Sequence, residues 1–417
     1  MNVRNVTSQP TPPRVLMLSD VYFPRVNGVS TSIQTFRSDL DTLGCESLLV
    51  APRYDVAARE DCSDIVRVSS RRVPFDPEDR LMRRRDLLAA CRELIGRFDL
   101  IHIQTPFLAH SVGVRLGREL GIKIIETYHT YFEEYFHHYV PAVPRAFLRA
   151  FARAISRSQC DAVDAVVSPS EQLGEVLRAY GTRTRIEVIP TGLDMTAFER
   201  GDGARFRADH GIAPDRPVVL HVGRIAFEKN IDFIVDVFAD VIARVPDALL
   251  VIAGEGPALA AIRQRAASYG LGDAVRFVGY LDRRTALIDC YRSADVFAFA
   301  SNTETQGLVL LEAMAVGTPV VSTAVLGTKA ILGPTCGGAI VVDEERIAFT
   351  HAITRVLTDR SLRERLGGAG RAYVREHWSS RKMAADLLAL YRELRAARTS
   401  GQPDFDRFSA ERRNESR

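Results

Sequence analysis

The sequence predicts an α/β protein built around two parallel sheets. Short runs of β-branched or apolar residues alternate with longer amphipathic stretches, which is typical of strand–helix units around parallel sheets. The alternation stops at a polar, glycine-containing interval, residues 190–215, and then begins again. The chain has 417 residues, whereas one hydrophobic core stops growing near about 250–300 residues. Two domains with a cleft between them are therefore expected.

Each domain is expected to contain six strands. Those of the first series are Val15–Ser19, Ser47–Ala51, Leu100–Ile103, Lys123–Glu126, Ala165–Ser168 and Glu187–Ile189. Those of the second are Val218–Val222, Leu249–Ala253, Val275–Val278, Val296–Phe299, Val320–Ser322 and Ala339–Val342. We place the first domain at residues 1–195 and the second at 196–380. A helix over 381–398 is expected to return to the first domain, and the charged segment 399–417 to form a disordered tail.

Composition excludes several classes of protein. The chain is 46% hydrophobic and 26% charged, which is typical of globular domains. Its 55 basic and 52 acidic side chains leave a net charge of +3, too even to indicate nucleic-acid binding. The longest uncharged stretch, Ala313 to Thr328, contains glycine and proline and is shorter than the roughly 20 residues that span a bilayer. The first fourteen residues lack the apolar run of a secretory signal, so a cytoplasmic protein is expected.

No metal site is predicted. The six cysteines have no CxxC pair and no regular spacing, so we expect reduced thiols rather than zinc ligands or disulfides. Asp404-Phe405-Asp406 has the DxD pattern of metal-dependent transferases, but it lies in the polar tail, where we interpret it as accidental.

The segment Ser301–Ala315 is the most informative for function. It follows a predicted strand, Gly307 allows the backbone to turn closely, and the free amides of the helix that follows can hold an anion. Glu304 stands in the loop and Glu312 in the first turns of the helix, so the two carboxylates can contact different parts of one ligand. The alternative is that Glu312 merely caps or solvates an ordinary helix.

Two cations follow the first strand of the second domain. Arg224 and Lys229 lie where ligands of doubly wound sheets bind, and together they can neutralise a diphosphate without a metal. The alternative is a solvated pair at a helix start. Gly254-Glu255-Gly256 is another glycine turn at a strand end, but the full dinucleotide fingerprint is missing, which disfavours a nicotinamide enzyme.

Taken together, these segments resemble the retaining glycosyltransferases of the two-Rossmann-domain (GT-B) type that carry the E-x7-E motif, glycosyltransferase family 4. The resemblance extends from Val15 to about Arg398. It is carried by three segments: Asn27-Gly28-Val29, Gly223-Arg224 with Lys229-Asn230, and Glu304 with Gly307 and Glu312.

The resemblance implies a role for each site residue. Glu312 would bind the ribose hydroxyls and Glu304 the transferred sugar. Arg224 and Lys229, with the amides of Gly307 and Leu308, would hold the diphosphate. Gly28 would let the first domain close onto the donor phosphate. The first domain would bind the acceptor and the second the nucleotide sugar, and no cofactor or metal would be required.

The aromatic stretch Thr127–Tyr139 indicates the acceptor. Relatives that glycosylate diacylglycerol carry a similar Tyr-His-Thr-x-x-Glu-Asp/Glu-Tyr run, so the resemblance makes His129 an active-site residue that contacts the donor sugar. His137 and His138 have weaker claims, since single histidines are more often on the surface. Ile101–Phe107 resembles the same subgroup.

Two basic segments are candidates for binding an anionic membrane. In residues 145–157, helical spacing places four arginines on one arc and Phe147, Phe151 and Ile155 opposite them. The alternative is that the apolar arc simply packs on the sheet. Residues 80–97 form a second candidate helix with less cleanly segregated arginines. The basic residues concerned are Arg145, Arg149, Arg153 and Arg157 in the first, and Arg83, Arg84 and Arg85 in the second.

The resemblance therefore predicts a peripheral enzyme on the inner face of the cell membrane that moves a hexose, glucose from UDP-glucose, onto diacylglycerol or a related lipid. A GDP-mannose-dependent mannosyltransferase acting on a phosphoinositide or other glycolipid is the alternative within the family. A sugar-nucleotide epimerase, or a sugar-nucleotide-binding protein without activity, are alternatives of other classes. Paired carboxylates also occur in glycoside hydrolases. One carboxylate is here expected on ribose, which disfavours hydrolysis.

Overall fold

A computed structural model describes residues 11–54, 63–73, 76–131 and 145–399. Its strands, numbered in chain order, are β1 Val15–Leu18, β2 Ser47–Pro52, β3 Ile65–Val68, β4 Ser70–Val73, β5 Asp76–Met82, β6 Leu100–Ile103, β7 Ile124–Thr127, β8 Ala165–Ser168, β9 Arg185–Val188, β10 Val218–Val222, β11 Leu249–Ala253, β12 Val275–Gly279, β13 Val296–Phe299, β14 Val320–Ser322 and β15 Ala339–Val341.

The strands form two wholly parallel sheets and one hairpin. The first sheet has the order β3-β2-β1-β6-β7-β8-β9, and the second has the order β12-β11-β10-β13-β14-β15. In both, the chain starts at a central strand and winds outwards in two directions, which is the doubly wound arrangement. The α/β class and all twelve predicted strands are confirmed.

The strands β3, β4 and β5 are not among those predicted from the sequence. β3 extends the first sheet, whereas β4 and β5 form an antiparallel hairpin. The prediction of a helix beginning at Arg80 is wrong, because Arg80, Leu81 and Met82 pair with β4 and the helix begins only at Arg84. Arginine runs have no strand periodicity of their own, so only the pairing with β4 determines this local structure.

Helices cover both faces of each sheet. They span Gly28–Thr42, Arg84–Glu93, Leu108–Leu120, Arg145–Cys160, Glu171–Ala179, Met195–Phe198, Gly203–Asp209, Ile231–Ile242, Leu259–Ser268, Ala286–Ser293, Leu308–Ala315, Thr328–Ile331, Arg346–Thr358, Arg360–His377 and Ser380–Thr399, with 3₁₀ turns at Phe227–Lys229 and Gly272–Ala274. No helix in the described ranges combines the length and the apolar character needed to cross a bilayer.

The last helix, Ser380–Thr399, packs on the first sheet. Its residues Leu387 and Tyr391 are fully buried in a cluster with Val15 and Met17 of β1. We call the part of the molecule built on the first sheet the first half, and the part built on the second sheet the second half. The chain passes from one half to the other twice at one place, where the Leu193 amide donates to the Trp378 carbonyl at 2.7 Å. The two crossings lie side by side and form the connection between the halves.

The helix Arg145–Cys160 leaves part of its predicted apolar arc outside the core. Leu148, Ala152 and Cys160 are buried, whereas Phe147 and Phe151 are 65% and 49% exposed. The two exposed rings are stacked, with centroids 6.5 Å apart. The interpretation that Phe147 and Phe151 pack on the sheet is therefore wrong.

The helix Arg84–Glu93 buries its apolar side instead. Leu87 and Leu88 belong to the core beneath the first sheet, and Leu94 just beyond the helix joins them. Its arginines stay on the outside, where the Arg85 guanidinium lies 3.1 Å from the Asp86 carboxylate. The helix Arg84–Glu93 thus has its arginines on the outside and its leucines in the core.

Candidate active site

A cavity of about 630 Å³ lies where the carboxyl ends of the two sheets face each other. Parallel sheets present their strand-end loops at this edge, so residues far apart in sequence meet there. All eight residues that the sequence analysis selected line this one cavity. They are Gly28 and His129 from the first half, and Arg224, Lys229, Glu304, Gly307, Leu308 and Glu312 from the second.

Lys229 and Glu304 are paired directly. The Lys229 Nζ donates to Glu304 Oε1 at 2.6 Å, and both side chains are largely buried. Lys229 ends the 3₁₀ turn after β10, and Glu304 stands in the loop after β13. An ammonium has three donors, so Lys229 keeps capacity for a second anionic group in the cavity. The pair fixes each side chain in place before any ligand binds.

The Arg224 guanidinium lies 3.6 Å from the carboxylate of Glu228, four residues further along the chain. The loop carrying these residues is held by the next strand-end turn, because Gly254 has φ +133° and an added Cβ would lie 1.9 Å from the Gly223 carbonyl oxygen. The glycine at 254 is thus required by the close approach of two loops, which accounts for it without a phosphate.

Glu312 is held from two sides. Its side chain is only 1% exposed, the Arg283 guanidinium donates to Oε1, and the Tyr291 hydroxyl donates to Oε2 at 2.7 Å. Burial, together with the charge of Glu312, raises the pKa of Tyr291 well above its usual value, so the phenol stays protonated and donates. Glu312 is therefore a fixed buried carboxylate, and the interpretation of it as a solvated helix residue is wrong.

Arg283 and Tyr291 are not among the site residues predicted from the sequence. Arg283 lies a few residues after β12, at the same sheet edge as the other site residues, and this position was the one available signal. Tyr291 lies in the helix Ala286–Ser293, and nothing in its local sequence distinguishes it from a core tyrosine.

Gly307 opens the helix Leu308–Ala315 with φ +100°, a backbone conformation that L side chains rarely adopt. An added Cβ would also lie 3.0 Å from the Thr328 methyl carbon. The first amides of a helix have no partner within it, so this end of the helix can hold an anion in the cavity.

Gly28 opens the helix Gly28–Thr42 on the opposite wall. Asn27 caps that helix by accepting from the Ser30 amide at 2.8 Å. An added Cβ at Gly28 would meet no protein atom within 4 Å. The protein's own packing therefore does not require glycine there, and the open space belongs to the cavity.

The loop Glu304–Gly307 is tied to the first half of the chain. The Gln306 side chain accepts from the Thr191 amide at 2.9 Å and donates to the Thr191 carbonyl at 2.7 Å. The Ser170 hydroxyl donates to the Thr305 carbonyl at 2.7 Å. The Thr305 hydroxyl donates to the His129 carbonyl at 3.2 Å. The segment that carries Glu304 thus bridges the two sheets.

His129 lies on the cavity wall of the first half, with Nε2 3.3 Å from the side-chain oxygen of Gln104. Burial lowers its pKa to about 4, so the ring is neutral at pH 7. The remaining part of the aromatic stretch, including His137 and His138, lies outside the described residues.

Asp20 is a cavity carboxylate that the sequence analysis missed. It stands two residues after β1 and accepts from the Thr105 hydroxyl at 2.8 Å and from the Ala109 amide at 3.1 Å. Burial raises its pKa to about 6. Short segments such as Ser19-Asp20 are common after strands, so only the fold indicates that this one faces the cavity.

In the described ranges, no three histidine, cysteine, aspartate or glutamate side chains are grouped as a metal site would require. Asp404 and Asp406 lie outside those ranges. Five of the cysteines are buried free thiols, and Cys62 is not described.

Two family descriptions match consecutive parts of the chain. Residues 26–197 match Glycosyltransferase Family 4, and residues 202–373 match Glycosyl transferases group 1. The solved structure of sucrose-phosphate synthase from Thermosynechococcus elongatus has a TM-score of 0.76 and 25% identity, covering 92% of this chain and 100% of that chain.

Two similar proteins act on different acceptors by name. Alpha-monoglucosyldiacylglycerol synthase of Streptococcus pneumoniae is 34% identical over 74% of this chain and 70% of its own length. The GDP-mannose-dependent alpha-(1-6)-phosphatidylinositol dimannoside mannosyltransferase of Mycobacterium tuberculosis is 27% identical over 90% of this chain and 95% of its own. With the two doubly wound sheets and the shared cavity, these matches show that the chain belongs to the family 4 glycosyltransferases of the GT-B fold and is a hexosyltransferase.

Proposed function

We propose that this enzyme transfers glucose from UDP-glucose to the hydroxyl of diacylglycerol, with retention of configuration. The observation that carries the proposal is the single cavity in which Glu304, Glu312 and Lys229 face a wall of the first half that carries His129. The choice of donor and acceptor is supported by the 34% identity to a protein named alpha-monoglucosyldiacylglycerol synthase.

In this proposal the second half holds the donor. Glu312, fixed by Arg283 and Tyr291, accepts hydrogen bonds from the ribose hydroxyls. Lys229, Arg224 and the amides of Gly307 and Leu308 contact the diphosphate. Glu304 contacts hydroxyls of the sugar and holds Lys229 at the same time. His129, neutral at pH 7, contacts the sugar from the other wall.

The reaction that follows is carried by charge stabilisation. The bond from the sugar anomeric carbon to the diphosphate oxygen breaks while the acceptor oxygen attacks on the same face. The acceptor proton moves to the leaving phosphate oxygen. Lys229, Arg224 and the helix amides stabilise the negative charge that grows there, and such preorganised groups supply a large share of catalysis. Closure of the two halves brings donor and acceptor together.

The helix Arg145–Cys160 is the proposed contact with the inner face of the cell membrane. Phe147 and Phe151 are exposed, and Arg149 and Arg153 are exposed on the same helix. Exposed aromatic rings beside basic residues suit an anionic lipid surface, where each basic residue contributes roughly 1 kcal/mol. The protein would then bind the membrane peripherally and reversibly.

The test is an incubation of the purified protein with radiolabelled UDP-glucose, UDP-galactose or GDP-mannose and mixed micelles of candidate lipids, followed by identification of the labelled lipid. We expect glucose on diacylglycerol, with undiminished activity in chelator. Transfer only to a non-lipid acceptor would overturn the proposal. Activity lost in chelator and restored by magnesium would overturn the metal-free mechanism.

The second candidate is transfer of mannose from GDP-mannose to a phosphoinositide. It is favoured by the match to the mycobacterial mannosyltransferase, which extends over 90% of this chain. The same panel separates the two candidates, because labelled mannose on phosphatidylinositol mannosides and none on diacylglycerol would establish the second one.

A further inference from the structure

The first-half wall of the cavity combines one carboxylate with exposed apolar side chains. Asp20 stands there with Leu81 of the hairpin and Phe107, which directly precedes the helix Leu108–Leu120. We propose that these three residues form the acceptor subsite, in which the Asp20 carboxylate accepts the hydrogen bond of the acceptor hydroxyl and Leu81 and Phe107 contact the acyl chains. This inference rests on the proposed lipid acceptor and names the part of the cavity that receives it.

The position of the Asp20 carboxylate is fixed by the fold. The Thr105 hydroxyl donates to Oδ2 at 2.8 Å and also accepts from the Asp20 amide at 2.7 Å. The Ala109 amide, at the start of the helix Leu108–Leu120, lies 3.1 Å and 3.2 Å from the two carboxylate oxygens. A carboxylate has about four lone-pair sites. The Phe107 and Leu108 amides also favour the charged carboxylate. Among the hydrogen bonds to this carboxylate, Oδ1 has only the long one from the Ala109 amide, at 3.2 Å, so Oδ1 is the oxygen that can accept from a ligand.

Asp20 differs from the other carboxylates of the cavity. In the described residues, Asp79 is paired with Arg25 at 3.0 Å, Glu228 lies 3.6 Å from Arg224, and Glu304 and Glu312 have their own cations. The partners of Asp20 are a hydroxyl and amides, all of them uncharged. A partly buried carboxylate without a cation is costly, and such groups concentrate at functional sites.

The charge of Asp20 makes it a poor neighbour for the donor phosphates. The Asp20 carboxylate and a diphosphate are both negative and repel each other at short distance. In the proposed function, Arg224 and Lys229 on the other wall neutralise the diphosphate. An uncharged alcohol, by contrast, can donate to a carboxylate, and this is a strong type of hydrogen bond. Asp20 therefore suits the acceptor hydroxyl.

Two exposed apolar residues of the same cavity suit the rest of a diacylglycerol. Leu81 is 60% exposed and Phe107 is 57% exposed, and both line the same cavity. Phe107 lies two residues before Ala109, whose amide contacts the Asp20 carboxylate. The group that holds Asp20 and an exposed apolar side chain therefore belong to one short segment. A lipid that places its hydroxyl at Asp20 can lay its chains over these side chains.

The first test uses Asp20→Asn, which keeps the size of the side chain and removes its charge. We expect kcat/KM for the lipid acceptor to fall about tenfold or more, because a hydrogen bond to a charged group is lost. UDP affinity by calorimetry and slow donor hydrolysis without lipid should stay within about twofold. Asp41→Asn, an exposed carboxylate outside the cavity, is the matched control and should behave as the parent.

The second test uses Leu81→Ser with Phe107→Ser, comparing dioleoylglycerol with dihexanoylglycerol as acceptors. We expect the preference for the longer chains to shrink about fivefold or more, since apolar contact is lost. Ile347→Ser, an exposed apolar residue of the second half, is the control.

The outcomes separate this inference from the function on which it rests. Suppose that the parent is active and that Asp20→Asn loses donor hydrolysis or UDP affinity as strongly as it loses transfer to the acceptor. This result would assign Asp20 to the donor site and overturn the proposed acceptor subsite. Unchanged acceptor kinetics would do the same. A parent that glycosylates only a non-lipid acceptor would overturn the lipid function and the acyl-chain contacts, whereas Asp20→Asn still tests the hydroxyl contact with that acceptor.

Discussion

At the scale of single residues, the site is defined by which cation meets which carboxylate. Glu312 is held by Arg283 and Tyr291, and Glu304 by Lys229. Each carboxylate is thereby oriented before a ligand arrives, so little ordering remains to be done on binding. The same pairing means that a substitution at either carboxylate also leaves a partly buried cation without that partner.

Glu312→Ala tests the contact with ribose. We expect UDP to bind more weakly by about 1.5–3 kcal/mol, because the hydrogen bonds that the ribose hydroxyls donate to a charged carboxylate are lost. Titration calorimetry with UDP measures this, and thermal unfolding reports how far the unpaired Arg283 destabilises the fold. Glu312→Gln, which can still accept from Tyr291, serves for comparison. UDP affinity equal to that of the parent would remove Glu312 from the nucleotide site.

The pH dependence of activity follows from Asp20 and His129. Because the pKa of Asp20 is raised to about 6, its carboxylate becomes protonated as the pH falls through that value. The pKa of His129 is lowered to about 4, so this ring stays neutral from pH 8 down to about pH 5. We expect kcat/KM for the acceptor to decline below about pH 6. This acidic limb of the pH profile should be absent in Asp20→Asn. An acidic limb that persists in the variant would assign it to another group.

At the scale of elements, the loop Glu304–Gly307 couples the two halves. Its Gln306 side chain uses both its oxygen and its nitrogen on the backbone of Thr191, next to the connection between the halves. A loop held in this way keeps Glu304 and the start of the helix Leu308–Ala315 in a fixed relation to the first-half wall.

Gln306→Ala should disturb that relation. We expect kcat to fall about tenfold while UDP affinity changes little, because Glu312 and its partners are untouched. The free energy of unfolding should fall by about 1–3 kcal/mol, since the Thr191 amide and carbonyl lose buried partners. Steady-state kinetics and urea unfolding measure both effects. Asn302→Ala, an exposed residue of the same loop region, is the control, and equal kcat in the two variants would contradict the role.

The helix Arg145–Cys160 carries the prediction for the membrane. Phe147 and Phe151 are exposed, whereas Arg153 lies over the Tyr180 ring and Arg157 lies 3.6 Å from Asp161. We therefore expect Phe147→Ser with Phe151→Ser to leave the fold intact and to reduce sedimentation with anionic vesicles about tenfold. Activity on detergent-dispersed acceptor should survive.

The controls for this helix separate apolar from ionic contact. Replacing Arg145, Arg149, Arg153 and Arg157 by glutamine should weaken vesicle binding mainly at low salt, because 1 M salt shortens the Debye length to about 3 Å. Tyr269→Ser, an exposed aromatic residue of the second half, should have no effect. If the double phenylalanine variant pellets as the parent does, the membrane surface lies elsewhere on the molecule.

At the scale of the whole molecule, the last helix of the described chain completes the core of the first half. The Tyr391 hydroxyl lies 2.6 Å from His102 Nδ1, and His102 Nε2 lies 2.7 Å from the Thr127 hydroxyl. Burial lowers the pKa of His102 to about 3, so this ring is neutral and needs both partners as hydrogen-bonding groups. The helix Ser380–Thr399 therefore completes the first half, although about 190 residues of the second half separate it in sequence.

Tyr391→Phe tests this interdependence. The change leaves His102 Nδ1 without a partner in the core, which should lower the free energy of unfolding by about 1–3 kcal/mol. Urea unfolding followed by circular dichroism measures it. Lys382→Ala on the exposed side of the same helix is the control. A variant as stable as the parent would show that the hydrogen bond contributes nothing.

The amino-acid sequence by itself determined the α/β class and the positions of twelve strands, because hydrophobic periodicity is a local property. Its motifs, together with the resemblance to family 4 glycosyltransferases, indicated eight residues that line one cavity. Only the tertiary structure decided that Arg80–Met82 pair as a strand, that Phe147 and Phe151 face outwards, and that Asp20, Arg283, Tyr291 and Gln306 belong to the site. These facts depend on contacts between segments far apart in the chain, such as Gln306 with Thr191. No local pattern encodes such contacts, since the energy of each depends on burial and on a partner that another strand or loop supplies.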